Sequence, residues 1–569
     1  MTKHSEIRRD NKPVSSRTGA QYIAGALHAY GVTHVFFMEA ILRGTLVEME
    51  KLGIRRILTH SEKAAAYMAD GYARVSRKPG LCMAQSVGAA NLAAGLQDPF
   101  LGHIPVIALT GRKAPVAQYR NAYQEIPHLP MFAAVTKFNA SVETAEQLPF
   151  LLRQAFREAT TGAPGPVHLD MPGHVGQTAD RFQMETDPVV EQDYGKYPAH
   201  RPFPDPDDIA AAIKLLAEAK KPVIIAGGGV AASAAGPVVR KLAEKLSIPV
   251  ATSMSGRGTI PENHPLSVGV VGSYARATAN KIVAEADCVL FIGSNTGDMV
   301  TDGWKLPKKG ARVIQIDINP CELGRNLPLA KGIMADAGAA ARRLLEAADA
   351  KHKKSGWAKY AAGVMADWRR EVAALRNAAG TPVRTERLCK EISDALPADA
   401  ILVADTGYSS IWTCSLVDLN HAGQTYIRAA GSLGWSFPAS LGAKCAAPER
   451  PVFCLTGDGG FFYHLCELET AARRGINTIT VVNNNGCMSQ CAVGVGKAYG
   501  NNPGNRDEMF RYRRTDFAAI ARDFGCLGIR VEKPEELKKA FQEALKAERP
   551  VLVDVVTDEN SKPHFEPSY

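Results

Sequence analysis

Short apolar runs rich in β-branched residues alternate with helix-like segments along nearly the whole of this sequence. Strands with this composition are typically buried on both faces, as in parallel sheets that are covered by helices. The alternation therefore favours an α/β fold with parallel sheets. The runs lie at 33–37, 81–84, 105–109 and 167–170, at 222–226, 288–292 and 313–317, and at 400–404, 452–455, 479–482 and 551–555.

These runs fall into three blocks, and we expect each block to form one doubly wound domain. A chain of 569 residues is too long for one hydrophobic core. A segment rich in Pro, Asp and Tyr follows the first block and is typical of a linker. The predicted organisation is a loose N-terminal arm at 1–17, a first domain at 18–186, the linker at 187–207, a second domain at 208–350, a connector at 351–380 and a third domain at 381–569.

The composition argues against several classes of protein. The net charge of +9 is spread over 61.1 kDa without a Lys/Arg block interleaved with aromatic residues, so nucleic acid is not an expected partner. No apolar run reaches the roughly 18 residues of a membrane span, so no membrane association is expected. The 11 cysteines include no CxxC pair, which indicates reduced thiols and a cytoplasmic protein.

The stretch GDGG at 457–460 gives the strongest local indication of function. Asp458 follows one predicted strand, and Asn485 follows the next strand along the chain. Because carboxyl ends of parallel strands meet at one edge of a sheet, these oxygens are expected to lie close together and to suit Mg²⁺. The glycines and the following helix start would admit a phosphate group. We interpret the stretch as a Mg²⁺–diphosphate anchor, in preference to two unrelated turns.

Five segments that keep their order along the chain resemble the thiamine-diphosphate-dependent enzymes of the acetolactate-synthase-like (pyruvate decarboxylase/oxidase) superfamily. The resemblance implies three domains, termed pyrimidine-binding, central and diphosphate-binding. It also implies a homodimer at minimum, and usually a homotetramer, with each cofactor between the first domain of one subunit and the third of another. The segments are SEKAAAYMADGYAR at 61–74, SVGAAN at 86–91, AYQE at 122–125 with VTKFN at 135–139, GSLG at 431–434, and GDGGF at 457–461 with NN at 484–485.

The resemblance also implies roles for individual residues. Glu62 would bind the pyrimidine ring and promote removal of the thiazolium C2 proton, Gln124 would face the reacting carbon, and Leu433 would bend the cofactor. Mg²⁺ would be held by Asp458, Asn485 and the carbonyl of Cys487. The other implied cofactor contacts are Ser86, Asn91, Gly407, Tyr408, Gly431, Gly457, Gly459, Gly460 and Met488.

Several segments depart from the family pattern. The loop after the first predicted strand carries Met38 and Glu39, and Gln85 and His103 are further departures. We treat these four as candidate substrate-pocket residues, with structural hydrogen bonding as the alternative for Gln85 and His103. The segment 293–303 lacks the arginines that would bind FAD, so FAD is disfavoured, and an empty or ADP-like central site remains as the alternative.

A cationic loop follows the predicted metal turn. We hypothesise that one or more of its side chains contacts an anionic substrate, with an ordinary solvated loop as the alternative. The cations of this loop are Lys497, Arg506, Arg511, Arg513 and Arg514.

The implied chemistry is that of a lyase or carboligase. Thiamine diphosphate would act as an electron sink while a C–C bond of a 2-oxo acid, or of a similar small carbonyl donor, is broken. The alternatives are relatives with other cleavage chemistry, namely sulfoacetaldehyde acetyltransferase, oxalyl- or hydroxyacyl-CoA lyase or cyclic diketone hydrolase. A catalytically silent cofactor-binding subunit is a hypothesis of another class, which the presence of Glu62, Asp458 and Asn485 disfavours.

Overall fold

The computed structural model describes residues 16–563 of the chain. Most of the predicted N-terminal arm, at 1–15, lies outside the described residues, as do the last residues of the predicted third domain, at 564–569. The described chain contains three six-stranded sheets, each parallel throughout and flanked by helices. This architecture confirms the predicted α/β fold with three doubly wound parallel-sheet domains.

The first sheet has the strand order β3-β2-β4-β5-β7-β6. The short strands β1 and β8 form a separate antiparallel pair. The elements are β1 (Arg17–Thr18), α1 (Gly19–Ala29), β2 (His34–Phe37), α2 (Arg43–Lys51), β3 (Arg55–Leu58), α3 (Glu62–Ser76), β4 (Gly80–Gln85), α4 (Gly88–Gly102), β5 (Val106–Gly111), α5 (His128–Ala133), β6 (Phe138–Ser141), α6 (Gln147–Thr160), β7 (Val167–Met171), α7 (Gln177–Asp180) and β8 (Gln183–Met184).

The second sheet has the order β11-β10-β9-β12-β13-β14, and a long helix then leads to the third sheet. The elements are α8 (Pro206–Glu218), β9 (Pro222–Ala226), α9 (Gly228–Ala232), α10 (Gly236–Leu246), β10 (Val250–Thr252), β11 (Ser267–Val270), α11 (Ala277–Glu285), β12 (Cys288–Ile292), α12 (Asp298–Thr301), β13 (Arg312–Asp317), β14 (Lys331–Met334), α13 (Ala337–Ala347) and the connecting helix α14 (Ser355–Arg376).

The third sheet has the order β16-β15-β17-β18-β20-β19. The elements are α15 (Thr385–Ala395), β15 (Ile401–Ala404), α16 (Tyr408–Leu416), β16 (Thr425–Arg428), α17 (Ser436–Ala446), β17 (Val452–Gly457), α18 (Asp458–Phe461), α19 (Glu467–Arg474), β18 (Ile479–Asn484), α20 (Ser489–Tyr499), α21 (Phe517–Asp523), β19 (Leu527–Val531), α22 (Leu537–Lys546) and β20 (Val551–Val556).

Helix α3 begins at the site residue Glu62 because the preceding residue caps it. Ser61 has extended backbone, and its hydroxyl accepts a hydrogen bond from the Ala64 amide. This satisfies one of the free N–H groups in the first turn, and a carboxylate at the helix start is stabilised by the helix dipole. The following small residues, AAA at 64–66, are completely buried and allow other helices to approach closely.

The first and third domains are joined by close contact between α3 and α17. A Cβ atom at Gly71 would lie 2.0 Å from the Ala439 carbonyl oxygen, and one at Gly442 would lie 1.9 Å from the Met68 oxygen. Beside this contact, the Trp435 indole donates to the buried Asp70 carboxylate. The two glycines therefore set the distance between the helix that begins at Glu62 and the domain that carries the other predicted site residues.

Gly442→Ala is expected to destabilise the protein by about 3 kcal/mol or more, because the new methyl group meets backbone that cannot rotate away. The matched control is Gly363→Ala in α14, where nothing lies within 4 Å of the added atom. That change should stabilise the helix by about 0.5–1 kcal/mol. Thermal and urea unfolding midpoints measure both effects, and an unchanged midpoint for Gly442→Ala would contradict the proposed tight contact.

Candidate active site

The carboxyl ends of β17 and β18 hold a buried carboxylate. Asp458 is 3% exposed, and its oxygens accept hydrogen bonds from the Gly459 amide at 2.7 Å and the Gly486 amide at 2.6 Å. Burial raises the pKa of this carboxyl group from 3.8 to about 6, against the lowering effect of the two amides. Among the described residues, no basic side chain forms an ion pair with Asp458.

Asn485 and Cys487 continue the same site. The Cys487 amide donates to the Asn485 side-chain oxygen at 3.1 Å, and the Asn485 side-chain nitrogen donates to the Ser489 hydroxyl. Arg514 donates to the Asn485 backbone carbonyl. Thus the two predicted side-chain ligands lie at the ends of neighbouring strands, Asp458 after β17 and Asn485 after β18, and the bond from the Gly486 amide to the Asp458 carboxylate joins them.

The neighbouring Asn484 has a structural role and is not a candidate metal ligand. Its side-chain nitrogen donates to the buried Asp554 and to the Thr515 carbonyl, each at 2.8 Å. Asn484 therefore anchors the strand end, while the next residue, Asn485, remains available to a ligand.

The site fits Mg²⁺ and a diphosphate group. A buried carboxylate with no cationic partner, an amide oxygen and a backbone carbonyl form the kind of oxygen set that Mg²⁺ accepts, completed by phosphate oxygens and water. The buried Gly459 and Gly460 leave space that side chains would fill: a Cβ at Gly459 would lie 3.1 Å from the Tyr512 ring and 3.4 Å from Met488. The start of α18 directs N–H groups into the same space.

The predicted cofactor contacts near the other strand ends lie on two turns. Gly407 has φ of +67°, precedes α16 and lies next to the half-buried Tyr408. Gly431 is exposed and Leu433 is half-buried on the turn before α17. Both turns follow neighbouring parallel strands, β15 and β16, so they lie along the same edge of the sheet as Asp458.

Two buried carboxylates that the sequence analysis did not identify fix the Leu433 turn. Asp405 accepts hydrogen bonds from the amides of Gly434 and Ser436 and from the Ser436 hydroxyl. Asp98, from the first domain, accepts from the amides of residues 430–432 and from Arg74. The only sequence signal was an acidic residue within an apolar context, and these partners lie 24 or more residues away along the chain.

Glu62 lies at the carboxyl end of the first sheet, just after β3. It is half-buried and accepts a hydrogen bond from the Asn91 side chain at 3.1 Å. Gly88 makes room for it, since a Cβ there would lie 2.4 Å from a Glu62 oxygen. Glu62 and Asn91, which were predicted separately, are therefore in direct contact, and one side of the carboxylate is left open to a ligand.

Ser86 is held in a strained conformation beside this pair. Its φ is +31°, its side chain is buried, and its amide donates to the Gly111 carbonyl. The ring of His128 bonds through Nε2 to the Ser86 carbonyl and through Nδ1 to Asp170, at 3.0 and 2.8 Å. The sequence analysis did not identify His128 or Asp170 as supports of the predicted cofactor turn.

Three of the four substrate-pocket candidates lie at this same edge of the sheet. Met38 and Gln85 are half-buried; Met38 follows β2, and Gln85 is the last residue of β4. Glu39 is exposed and forms a bidentate ion pair with Arg43 at 2.6 and 3.0 Å, which lowers the pKa of Glu39. Gln124 is half-buried with φ of +61°, on the loop that follows β5. The charge of Glu39 is therefore neutralised within its own loop.

The structure does not bring His103 together with these residues. His103 ends α4 and precedes β5, so it lies at the amino-terminal edge of the sheet, whereas the other candidates lie at the carboxyl-terminal edge. A six-residue strand separates these edges by about 20 Å. We therefore do not retain His103 as a substrate-pocket residue.

The cationic loop hypothesis is also weakened for Arg511. Its guanidinium pairs with Asp507 at 2.7 Å and with Glu559. With two carboxylate partners, its charge is already neutralised and is a poor attraction for an anionic substrate.

Within one chain, the two halves of the predicted site belong to different domains. Glu62 bonds to Asn91 of the first domain, while Asp458 bonds to glycine amides of the third. No hydrogen bond or ion pair of residues 16–563 links Glu62 to Asp458, Asn485 or Cys487.

Three family profiles match the chain in succession. The profile described as thiamine pyrophosphate enzyme, N-terminal TPP binding domain, matches residues 17–131. The thiamine pyrophosphate enzyme central domain matches residues 209–344, and the C-terminal TPP binding domain matches residues 405–555. Each profile falls on one of the three sheets.

The chain is also similar to curated proteins over most of its length. It is 32% identical over 567 residues to the probable acetolactate synthase large subunit of Methanocaldococcus jannaschii, with 95% of this chain and 92% of that protein covered. It is 32% identical over 524 residues to the acetolactate synthase large subunit of Corynebacterium glutamicum, with coverages of 90% and 81%. With the isozyme 2 large subunit of Escherichia coli K12, it shares 29% identity over 556 residues, with coverages of 95% and 96%.

Proposed function

Because the chain belongs to the thiamine pyrophosphate enzymes of the acetolactate-synthase-like group, we propose that it is a Mg²⁺-dependent carboligase acting on a 2-oxo acid. The observation that carries the proposal is the pair of preserved clusters at the carboxyl ends of two sheets. One cluster joins Glu62 to Asn91, and the other brings Asp458 and Asn485 together at the ends of the neighbouring strands β17 and β18. Ligands of open parallel sheets bind at such edges.

Each cluster would serve one end of the cofactor. When bound, thiamine diphosphate supplies an electron sink for breaking the bond beside a carbonyl group. Asp458, Asn485 and the Cys487 carbonyl would hold Mg²⁺. Glu62 would exchange a proton through its carboxylate, and Leu433 would support the cofactor from the side. Gln124 would orient the substrate carbonyl by hydrogen bonding.

Product analysis tests this function directly. Purified protein with thiamine diphosphate, Mg²⁺ and pyruvate should release CO₂ and form a condensation product such as acetolactate, detected by mass spectrometry. A parallel panel of sulfoacetaldehyde, oxalyl-CoA and a cyclic diketone would reveal the other cleavage chemistries. Cofactor binding without turnover of any of these compounds would support a catalytically silent subunit instead.

We also propose that the chain acts as a cytoplasmic homodimer or homotetramer. The lack of any hydrogen bond or ion pair between the Glu62 and Asp458 clusters among residues 16–563 supports a site shared by two chains. The loop before Gln124 exposes aromatic side chains that a second chain could cover, with Tyr119 96% and Tyr123 79% exposed.

All 11 cysteines are free, which supports a reducing compartment. Among the described residues, no helix combines the length and apolar character of a membrane span.

A mixing experiment tests the shared site. Glu62→Gln and Asp458→Asn chains should each be inactive, yet refolding them together should restore activity. In a random mixture, half of the dimers contain one chain of each kind, and one of their two sites is intact, so about a quarter of wild-type activity is expected. Mixing either variant with itself is the control, and a mixture that stays inactive although light scattering shows mixed dimers would contradict a site built from two chains.

We propose that the central domain works without FAD. The segment 293–303 contains no arginine. A Cβ at Gly229 would lie 2.8 Å from Gly293, so this glycine serves close packing of α9 against the end of β12 rather than approach of a diphosphate. A purified protein without flavin absorbance would agree with this proposal, and its treatment with acid would release any bound ADP-like molecule for detection.

A further inference from the structure

Lys113 and His174 lie side by side where two neighbouring strands of the first sheet end. Lys113 follows β5 by two residues and His174 follows β7 by three, and Gly111 pairs with Met171 across these strands. This is the edge that also carries Gln85 and Ser86, because the Ser86 amide donates to the Gly111 carbonyl. The pair therefore belongs to the region of the candidate substrate pocket.

Lys113 carries a buried charge that the described chain does not neutralise. The residue is 8% exposed, and its ammonium lies 2.6 Å from His174 Nδ1. Since an ammonium can only donate, His174 must accept at Nδ1. Burial, Lys113 and Arg43 all lower the pKa of His174, so the imidazole remains neutral at pH 7. No carboxylate of residues 16–563 forms an ion pair with Lys113.

The neighbouring cations differ from Lys113 in this respect. Arg43 pairs with Glu39, and Arg112 pairs with Glu143 at 2.6 Å and contacts Asp170 at 3.5 Å. A buried cation without a counter-ion is costly, so a site that retains one gains affinity for an anion. Lys113 is thus a buried charge at this edge that remains available to a ligand.

Lys113 also contacts the loop that carries Gln124. The Gln118 side chain donates to the Lys113 carbonyl at 2.9 Å, and the ammonium lies 5.9 Å from the centre of the Tyr123 ring. The adjacent Gln124 is the residue expected to face the reacting carbonyl. A ligand held by Lys113 would therefore present its other end towards this loop.

We propose that Lys113, oriented by His174, is a specificity-determining residue that binds the anionic group, a carboxylate or a sulfonate, of the carbonyl substrate. The inference rests on the proposed function, since it assumes that a carbonyl compound reacts at this edge. A carboxylate and a sulfonate both present negatively charged oxygens to an ammonium group. Assays with one substrate of each kind therefore show which of the two groups Lys113 binds.

The test compares charged and neutral versions of one substrate. Wild type, Lys113→Met and Lys113→Gln are assayed for turnover of pyruvate and of sulfoacetaldehyde. The uncharged analogues methyl pyruvate and acetaldehyde, which have no group that can leave as CO₂ or sulfite, are measured as competitive inhibitors. In both variants the KM for the reactive anion should rise by about 10- to 100-fold, the range for a charge-assisted hydrogen bond, while the inhibition constant of the neutral analogue changes little. Lys113→Gln can still donate to His174, so it remains informative if the methionine variant does not fold. The exposed Lys196→Met is the control.

The outcomes separate this inference from the proposed function. Exchange of the cofactor C2 proton in the wild type without substrate, followed by NMR, reports the thiamine function alone, and its absence would reject that function. If the wild type exchanges this proton and consumes the carbonyl compound, an unchanged ratio of the anion KM to the neutral inhibition constant in both Lys113 variants overturns the role of Lys113. A larger loss for pyruvate than for sulfoacetaldehyde identifies the carboxylate as the natural group, and the reverse identifies the sulfonate.

Discussion

Glu62→Gln is expected to slow exchange of the C2 proton of bound thiamine diphosphate by about 100- to 10,000-fold, the usual contribution of a positioned acid or base. Glutamine has the same shape and keeps an oxygen that can accept from Asn91, so the local contact at 3.1 Å should survive. It cannot exchange a proton as a carboxyl group does. Exchange is followed by NMR after rapid mixing into D₂O, and cofactor affinity is followed by calorimetry.

Measuring cofactor affinity beside proton exchange separates a role of Glu62 in proton transfer from a role in cofactor binding. If Glu62 acts mainly as an acid or base, exchange should fall far more than cofactor affinity does. The control is Glu185→Gln, an exposed glutamate on the segment before the second domain, which should leave both quantities unchanged. Normal exchange in Glu62→Gln would reject the catalytic role, and a protein that binds no cofactor at all would instead place Glu62 among groups needed for binding.

Asp458→Asn should weaken Mg²⁺-dependent cofactor binding by more than about 100-fold, since it removes the negative charge from a proposed metal ligand and not from a residue that only supports one. The amide preserves the shape of the side chain and one acceptor oxygen. Its NH₂ group would replace a carboxylate oxygen that accepts from the amide of either Gly459 or Gly486, so one of these two hydrogen bonds would be lost. Calorimetry with Mg²⁺ and thiamine diphosphate measures the loss, and the exposed Asp523→Asn provides the control.

The same variant should have the opposite effect on the Mg²⁺-free protein. The folded pKa of Asp458 is raised to about 6 from 3.8, so the native state binds the extra proton between these values. Stability from this group is therefore lost as pH rises from about 4 to about 6, by roughly 3 kcal/mol in total. In EDTA at pH 7.5, Asp458→Asn should raise the unfolding midpoint, and at pH 4 the difference should vanish. A lower unfolding midpoint for Asp458→Asn than for the wild type at pH 7.5 would show that the protein stabilises the Asp458 carboxylate even without metal.

The sequence predicted the interior strands of the sheets much better than their edges. In the first and third sheets, the predicted runs correspond to the four interior strands of each, namely β2, β4, β5 and β7, and β15, β17, β18 and β20. Interior strands are covered on both faces and need continuous apolar residues. Edge strands such as β3, with sequence RRIL, and β6, with sequence FNAS, are partly exposed and lack that pattern.

The helix after Asp458 shows another limit of local patterns. The helical spacing of apolar and polar residues at 461–474 predicts a single helix, but the chain forms α18 (Asp458–Phe461) and α19 (Glu467–Arg474), separated by turns. The break allows Glu467, completely buried, to accept a hydrogen bond from the His60 amide of the first domain. A contact between residues 407 positions apart thus coincides with a boundary that local periodicity does not mark.

By itself, the sequence determined the buried strands and the oxygen cluster of the third domain. Buried strands are recognisable because their residues are continuously apolar, and the cluster is recognisable because Asp458 and Asn485 each follow one of two adjacent strands. Only the tertiary structure decided which charges are compensated. Arg511 meets Glu559 across 48 positions and is neutralised, whereas Lys113 meets a neutral His174 across 61 and is not. Such pairings depend on which loops the folded sheets bring together, and distance along the chain does not constrain them.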